Sequence, residues 1–189
     1  MARWKPDARA RLEKAALALY REHGFAQTTV AEIADRAGLT ERTFFRYFAD
    51  KREVLFSGAD VLQQQLVSAL DDAPSALSAI DAVGRAVEAV AGLFEQRRDF
   101  ARKRQAVISE NAELQERERV KLASLASALA DALRRRGIRE PAASLAAEMG
   151  ITVLRLAFER WINDKEDRQL ARIMRDSLNE LKLVTAGKG

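Results

Sequence analysis

The sequence predicts an all-α protein of about nine helices, and three observations support this class. The chain is rich in alanine, leucine, arginine and glutamate, which are strong helix formers, and only 3 of its 189 residues are proline. Apolar residues recur three and four positions apart, as they do on one face of a helix. No run of β-branched residues alternates with polar ones, so no sheet is expected.

The residue inventory also limits the possible functions. Cysteine is absent, which excludes disulfides, zinc fingers and thiol catalysis. The single histidine, His23, is expected to interact with a helix C-terminus rather than to serve as a metal ligand or general base. No segment resembles a signal peptide or a membrane helix. We therefore expect a cytoplasmic protein with no cofactor, no metal, no enzymatic activity and no membrane partner.

Two helices are expected before residue 38. The first begins after its N-cap Asp7 and ends at Gly24, and its buried face carries Leu12, Ala15, Ala16 and Leu19. The second begins after Thr28 or Thr29. If Thr29 is the cap, Glu32 stands where a capping box requires it.

The remaining helices follow from the same periodicity. Thr40 caps a third helix that runs to about Phe48, after a break at Gly38. Asp50 caps a fourth, with a stripe of Leu55, Ala59, Leu62, Leu66 and Leu70. Further helices are expected at about 75–96, 99–109, 114–136, 142–163 and 168–183, with a frayed tail at 185–189.

The helix expected at residues 142–163 is apolar on nearly all sides, so it needs cover on all sides. It could be a central core helix, or one side could meet a second copy of the chain. We favour the second interpretation, with small residues permitting close helix approach and the final helix sharing the interface. The residues predicted for this interface are Leu145, Met149, Val153, Leu156, Trp161, Leu170, Ile173 and Leu178.

Residues 28–51 have the spacing of a helix-turn-helix motif, whose helices are predicted within about 29–48. In this motif the second helix lies in the major groove of DNA, and its first residues meet the base edges. Those residues are Thr40, Glu41, Arg42 and Thr43. An arginine can bond guanine, and a threonine methyl can touch thymine. The alternative is that these are two short helices of an ordinary bundle.

The other residues of the motif are expected to anchor it or to bind the DNA backbone. Phe44 and Phe48 are four positions apart, so both should face inward. Residues 1–53 hold 11 Lys/Arg against 8 Asp/Glu, an excess that weakly favours a polyanion partner. The residues expected near flanking phosphates are Phe45, Arg46, Tyr47 and Lys51.

The segment "TTVAEIADRAGLTERTFFRYFADKREVL" resembles the DNA-binding segment of the tetracycline-repressor (TetR) family. The resemblance covers about residues 12–55. It implies a homodimeric regulator with a DNA-binding domain at 1–54 and a helical effector-binding and dimerisation domain at 55–189. By position, DNA contacts fall on Thr29, Arg42, Thr43, Phe45, Arg46, Tyr47 and Lys51. One position departs from the family: Phe45 stands where tyrosine is common, so a phosphate contact of its hydroxyl is lost.

Residues 98–161 are similar to the body of actinobacterial TetR-type regulators of the mycofactocin-regulator kind, which implies an acyl-CoA-type effector. The residues expected at its pocket are Arg104, Ile108, Asn111, Leu154, Arg155 and Phe158. Plainer interpretations remain open. Arg155 could pair with Glu159 four residues later, Phe158 could be core, and the basic run at 95–105 could be a solvated helix end.

The expected function is thus a ligand-responsive regulator, by default a repressor, whose partners are double-stranded DNA, a second copy of the chain and an unknown small molecule. The rival from another class is a helical carrier of acyl chains with a degenerate DNA-binding head. The intact polar set of residues 28–51, apart from Phe45, argues against the carrier.

Overall fold

The computed structural model describes residues 7–187, and every regular element in that range is helical. The all-α class is confirmed. Nine α-helices have seven or more residues, and a single turn (α6) and one 3₁₀ turn (Glu53–Phe56) complete the set. The α-helices are α1 (Ala8–His23), α2 (Val30–Arg36), α3 (Glu41–Tyr47), α4 (Ala59–Asp71), α5 (Ala79–Ala89), α6 (Gly92–Glu95), α7 (Arg98–Ser109), α8 (Ala112–Arg135), α9 (Ala142–Ile162) and α10 (Leu170–Thr185).

The expected fourth helix is interrupted, which corrects the prediction. Asp50 does not cap α4; its Oδ1 accepts hydrogen bonds from the backbone N–H of Arg52 (2.8 Å) and Glu53 (3.2 Å), at the start of the 3₁₀ turn. Three consecutive residues of that turn, 54–56, are all buried. These three residues anchor the turn in the core of unit 1.

The helix expected at 75–96 begins later and is divided. Ser78 is its N-cap, with its hydroxyl accepting from Asp81 N at 3.3 Å. Residues 90 and 91 then separate α5 from α6. The last helix also starts later than expected, at Leu170 rather than Arg168.

The described residues form two compact units. Unit 1 comprises residues up to 58 together with 103–118, and unit 2 comprises 59–102 together with 119 onward. The expected domains at 1–54 and 55–189 stay a prediction. Residues 1–6 and 188–189, including the end of the expected tail, lie outside the described residues.

The core of unit 2 is built where α5, α9 and α10 pack on one another, with α4 against α5. Two glycines bring these helices close together. A Cβ on Gly150 of α9 would collide with Val83 of α5, and one on Gly84 would collide with Leu178 of α10. On α9, the small residue Gly150 therefore serves close helix packing within the chain.

Half of the residues predicted for the dimer interface lie in this core. Val153, Trp161, Leu170 and Ile173 are buried, so they have almost no surface left to cover against a partner. For these four, the core interpretation is the correct one. Leu178 is half-buried against α5. Leu145, Met149 and Leu156 are exposed.

Candidate nucleic-acid interface

The turn between α2 and α3 is fixed by one glycine and one arginine. Gly38 has φ +62°, in the left-handed region that favours glycine. The guanidinium of Arg11 donates to the carbonyls of Ala37 and Gly38, the two residues that follow α2. At the same end of α2, its last residue Arg36 forms a two-pronged ion pair with Glu22 of α1 (2.9 and 3.2 Å). These contacts orient α2 and therefore the turn that starts α3.

Threonines cap both short helices of the motif. The Thr29 hydroxyl accepts from Glu32 N and donates to Glu32 Oε2, and Glu32 Oε2 accepts from Thr29 N, which completes the capping box. These bonds hold the pKa of the Glu32 carboxyl below its usual range. Thr40 caps α3 by accepting from Thr43 N at 3.2 Å. Each cap satisfies N–H groups that a seven-residue helix could not satisfy itself.

The inner side of α3 is aromatic, as expected. Phe44 is fully buried and Phe48 nearly so, with ring centroids 5.5 Å apart. Tyr20 and Phe25 form a second aromatic contact at 5.2 Å in the same unit. The Tyr20 hydroxyl donates to Lys51 O at 2.6 Å, and burial raises the pKa of that hydroxyl well above its usual value. The short helix is thus anchored by its rings.

The outer side of α3 is centred on two arginines. At about 100° per residue, Arg42 and Arg46 point away from the direction of Phe44 and Phe48, and both are exposed. Within residues 7–187, the side chain of Arg42 forms no hydrogen bond or ion pair. Arg46 lies 5.0 Å from the ring of Tyr47 and donates to its hydroxyl at 3.3 Å. Arg46, which sequence reasoning had assigned to a phosphate, therefore shares the central face with Arg42.

Two aromatic rings border this face. Tyr47 flanks it on one side and is 36% exposed. Phe45 flanks it on the other and is 55% exposed. Thr40, Glu41 and Thr43 are also at the surface or half-buried, at the start of the helix. The predicted base-contacting and flanking residues of α3 therefore form one continuous surface.

Lys51 has a different place from the one expected. Its ammonium donates to the carbonyls of Phe25 (2.9 Å), Ala26 (3.2 Å) and Thr28 (2.8 Å), and it lies 4.6 Å from the centre of the Phe25 ring. An ammonium has three donors, and all three are used. In this conformation Lys51 ties down the loop between α1 and α2, so the predicted phosphate contact would cost these bonds.

Arg104, predicted for the effector pocket, is a structural residue of unit 1. Its Nε donates to Leu55 O at 2.5 Å, its guanidinium lies 5.0 Å from the Phe56 ring, and it pairs with Glu118 at 3.3 Å. Burial lowers the pKa of Arg104, with Glu118 opposing that effect. Sequence reasoning missed that residues 103–118 belong with the 3₁₀ turn.

Two further arginines connect the same parts of unit 1. Arg52 pairs with Glu113 at 2.9 Å, and Arg117 pairs with Glu53 at 2.5 Å. Arg52 also pairs with Asp50 (2.6 Å), which lowers the pKa of that carboxyl. The only sequence signal for these pairings was the density of charge in 113–119.

The other predicted pocket residues are divided between the units. In unit 1, Ile108 is fully buried, and the Asn111 amide donates to Val107 O at 2.6 Å. In unit 2, Leu154 is buried. Arg155 forms an exposed ion pair with Glu159 at 3.0 Å, which is the plainer interpretation of that arginine. Phe158 is half-buried and packs on the rings of Phe94 (5.3 Å) and Trp161 (5.9 Å).

The basic run at 95–105 is largely engaged. Arg98 donates to the carbonyls of Trp161 (2.7 Å) and Asp164 (2.6 Å) at the end of α9, and Arg102 pairs with Asp99 at 3.2 Å. A cavity of about 130 Å³ lies within unit 2. That is smaller than the ~300 Å³ or more of ordinary ligand sites. It is lined by Ser75, Leu77, Ala79, Ala82, Leu133, Arg136 and Ile138.

Two kinds of feature are absent from residues 7–187. No helix there is long and apolar enough to cross a membrane. No group of three or more histidine and acidic side chains in that range is placed to hold a metal ion.

Comparison with known families gives two matches. The profile described as "Bacterial regulatory proteins, tetR family" matches residues 12–57. The profile described as "MftR C-terminal domain" matches residues 77–185, more than half of the chain.

Individual relatives agree with these families. MftR of Mycobacterium tuberculosis, whose name assigns it to transcriptional regulation of mycofactocin biosynthesis, is 29% identical over 153 residues, which are 79% of this chain and 77% of that protein. FadR of Thermus thermophilus, described as a transcriptional repressor in complex with lauroyl-CoA, has a TM-score of 0.54 and 25% identity over 92% of each chain. FadR of Bacillus subtilis in complex with stearoyl-CoA has a TM-score of 0.62 over 91% of this chain and 96% of that one, and its 18% identity supports the fold alone.

Proposed function

Because the chain belongs to the TetR family of transcriptional regulators and carries an MftR-type C-terminal domain, we propose that it is a homodimeric, ligand-responsive repressor. It binds a near-palindromic operator and is released by a small hydrophobic or acyl-CoA-like effector. The observation that carries the proposal is the outer face of α3. Two exposed arginines, Arg42 and Arg46, stand between aromatic borders on a helix anchored by Phe44 and Phe48.

DNA recognition is assigned to that face. Arg42 and Arg46 have the reach and donor geometry for guanine O6 and N7, and Thr43 offers a hydroxyl and a methyl. Because Arg42 is not paired within residues 7–187, its guanidinium is available without breaking an existing contact. Tyr47 can donate its hydroxyl to a phosphate. Affinity falls with salt, since phosphate contacts release counterions.

We assign the dimer interface to the apolar side chains of α9 that are exposed in the single chain. Leu145, Met149 and Leu156 are 57%, 36% and 43% exposed, and their spacing of four and seven residues places them on one side of the helix. Large exposed apolar side chains on one stripe favour burial against another surface. A second copy of the chain supplies that surface through a two-fold interface. Two α3 helices about 34 Å apart then meet successive major grooves.

The effector class rests on relatives rather than on a cavity in this chain. The FadR proteins of Thermus thermophilus and Bacillus subtilis are described with lauroyl-CoA and stearoyl-CoA, respectively. The MftR-type match covers the corresponding C-terminal part of this chain. An acyl-CoA releases DNA only if it binds more tightly to the conformation that cannot hold the operator.

The test is selection of bound sequences from a random duplex pool at physiological salt, using the full-length protein without ligand. Enrichment of a two-fold symmetric site supports the proposal, and that site then allows acyl-CoA compounds of different chain length to be tested for release. Failure to enrich any site, both alone and with a cell extract, contradicts the regulator and favours an acyl-chain carrier. An Arg42→Ala variant that selects the same site with unchanged affinity contradicts the assigned face.

A further inference from the structure

Phe45 is an apolar ring on an otherwise polar binding face. It is 55% exposed, whereas the neighbouring rings of Phe44 and Phe48 are buried. Its ring packs edge-on against Phe44, with centroids 5.4 Å apart and an interplanar angle of 83°. This contact supports one edge of the ring from the core of unit 1 and leaves the rest at the surface. An exposed ring held in this way is poised to be covered by a partner.

The chemistry of the ring narrows what can cover it. A phenyl ring has no hydrogen-bond donor or acceptor, so it gains nothing specific from a phosphate oxygen or from the polar edge of a base. Among the groups that base pairs present in the major groove, the C5 methyl of thymine is the apolar one. Covering a methyl and part of a ring removes apolar surface from water, which is favourable.

The position of Phe45 on α3 restricts where that thymine lies. Phe45 follows Arg42 by three residues, about 4.5 Å along the helix axis, and the two side chains diverge by about 60°. Successive bases are about 3.4 Å apart along the duplex. A thymine met by Phe45 therefore falls within about two base pairs of the one met by Arg42.

We propose that Phe45 is a specificity-determining residue that recognises a thymine methyl in each operator half-site. This inference rests on the proposed function, since it requires an operator. A tyrosine at this position would make a polar contact. Phe45 instead makes an apolar contact that depends on the DNA sequence.

The test uses the selected operator with each thymine of the half-site replaced in turn by deoxyuridine, which removes only the methyl. Binding is measured by fluorescence anisotropy for the full-length parent and for Phe45→Ala. At one position, the replacement should weaken operator binding by the parent about fourfold per half-site. This factor corresponds to the free energy of burying one carbon. The same replacement should leave Phe45→Ala unchanged. The difference between the effects of the methyl on the parent and on Phe45→Ala measures the coupling free energy between the Phe45 ring and the thymine methyl.

Controls separate this coupling from general damage. Phe45→Leu keeps apolar surface and should restore sensitivity to the methyl. Tyr47→Ala, on the opposite border of the face, should keep the same sensitivity as the parent. A thermal melt verifies that each variant folds.

Several outcomes overturn the inference while leaving the regulator intact: a symmetric operator without thymine within two base pairs of the Arg42-dependent position, no effect of deoxyuridine at any position, or equal effects on parent and Phe45→Ala. If Phe45→Ala weakens every site equally, the ring covers the sugar-phosphate backbone instead. If no operator is selected at all, the proposed function fails, and this inference fails with it.

Discussion

Replacing Lys51 with methionine separates a structural role from a DNA-binding role. The change keeps most of the side-chain length and removes the ammonium, whose three hydrogen bonds of 2.8–3.2 Å hold the loop carbonyls of residues 25, 26 and 28. A hydrogen bond from a charged donor contributes about 1.5–3 kcal/mol when well shielded. Lys51 is only half-buried, so about 1 kcal/mol per bond is a fairer value, and we expect the free energy of unfolding to fall by about 2–4 kcal/mol.

The assay has two arms, and they distinguish the two roles. Urea unfolding at fixed protein concentration measures the free energy of unfolding. The salt dependence of operator binding, measured below the melting temperature of the variant, counts the phosphate contacts. If Lys51 contacted a phosphate in each protomer, the loss of both contacts would reduce the magnitude of the slope of log K against log salt by about two. We expect that slope to stay unchanged.

Arg42→Met is the matched control, because Arg42 is exposed and has no partner in the described part of the chain. Its stability should stay within about 0.5 kcal/mol of the parent, while its operator affinity should fall. Unchanged stability of Lys51→Met together with a lower salt slope would refute the reasoning and restore Lys51 to the phosphate backbone.

Three further predictions concern stability. Gly150→Ala should lower the free energy of unfolding, measured with urea, by about 1–3 kcal/mol because its Cβ would collide with the facing helix. Gly92→Ala has open space around its Cβ and should be neutral or stabilising. Equal effects of the two substitutions would contradict the packing argument. Arg104→Met should cost about 1–3 kcal/mol, because it removes the hydrogen bond to Leu55 O and leaves the half-buried Glu118 with only the Gln105 amide. A loss below about 0.5 kcal/mol would show that water replaces these contacts. The Arg168 guanidinium lowers the pKa of Asp164 to about 2, so the stability that this carboxylate contributes is present above about pH 4 and is lost as the pH falls toward about 2. The melting temperature of Asp164→Asn should therefore depend less on pH in that range than that of the parent. Parallel pH profiles for the variant and the parent would contradict this linkage.

Local features of the head were predictable from sequence because their causes are close in the chain. Thr29 and Thr40 cap the two short helices from three residues away. The inward pair Phe44 and Phe48 follows from the helical repeat. Gly38 was expected to form the break between the two helices, and its positive φ allows the turn there.

The contacts that sequence could not reveal are those of side chains whose partners are distant in the chain. Lys51 reaches carbonyls 23–26 residues earlier, and Arg104 reaches Leu55, 49 residues earlier. A single sequence does not reveal such pairings, because any loop carbonyl and any basic residue could form them. The same limit explains Val153 and Ile173. Periodicity shows that a helix is apolar on two sides, but it does not show whether the second side meets its own chain or a copy.

Unit 1 is built from two separate chain segments. This limits how the DNA-binding head can be exchanged between regulators of this kind. A head cut out at residue 58 would leave behind the 103–118 segment, and with it the partners of Arg52 and Glu53 and the guanidinium that binds the carbonyl of Leu55. The buried residues 54–56 would lose contacts with that segment. A chimera with new DNA specificity should therefore either carry both segments from the same donor or change only the outer face of α3, whose exposed side chains can vary without disturbing either piece.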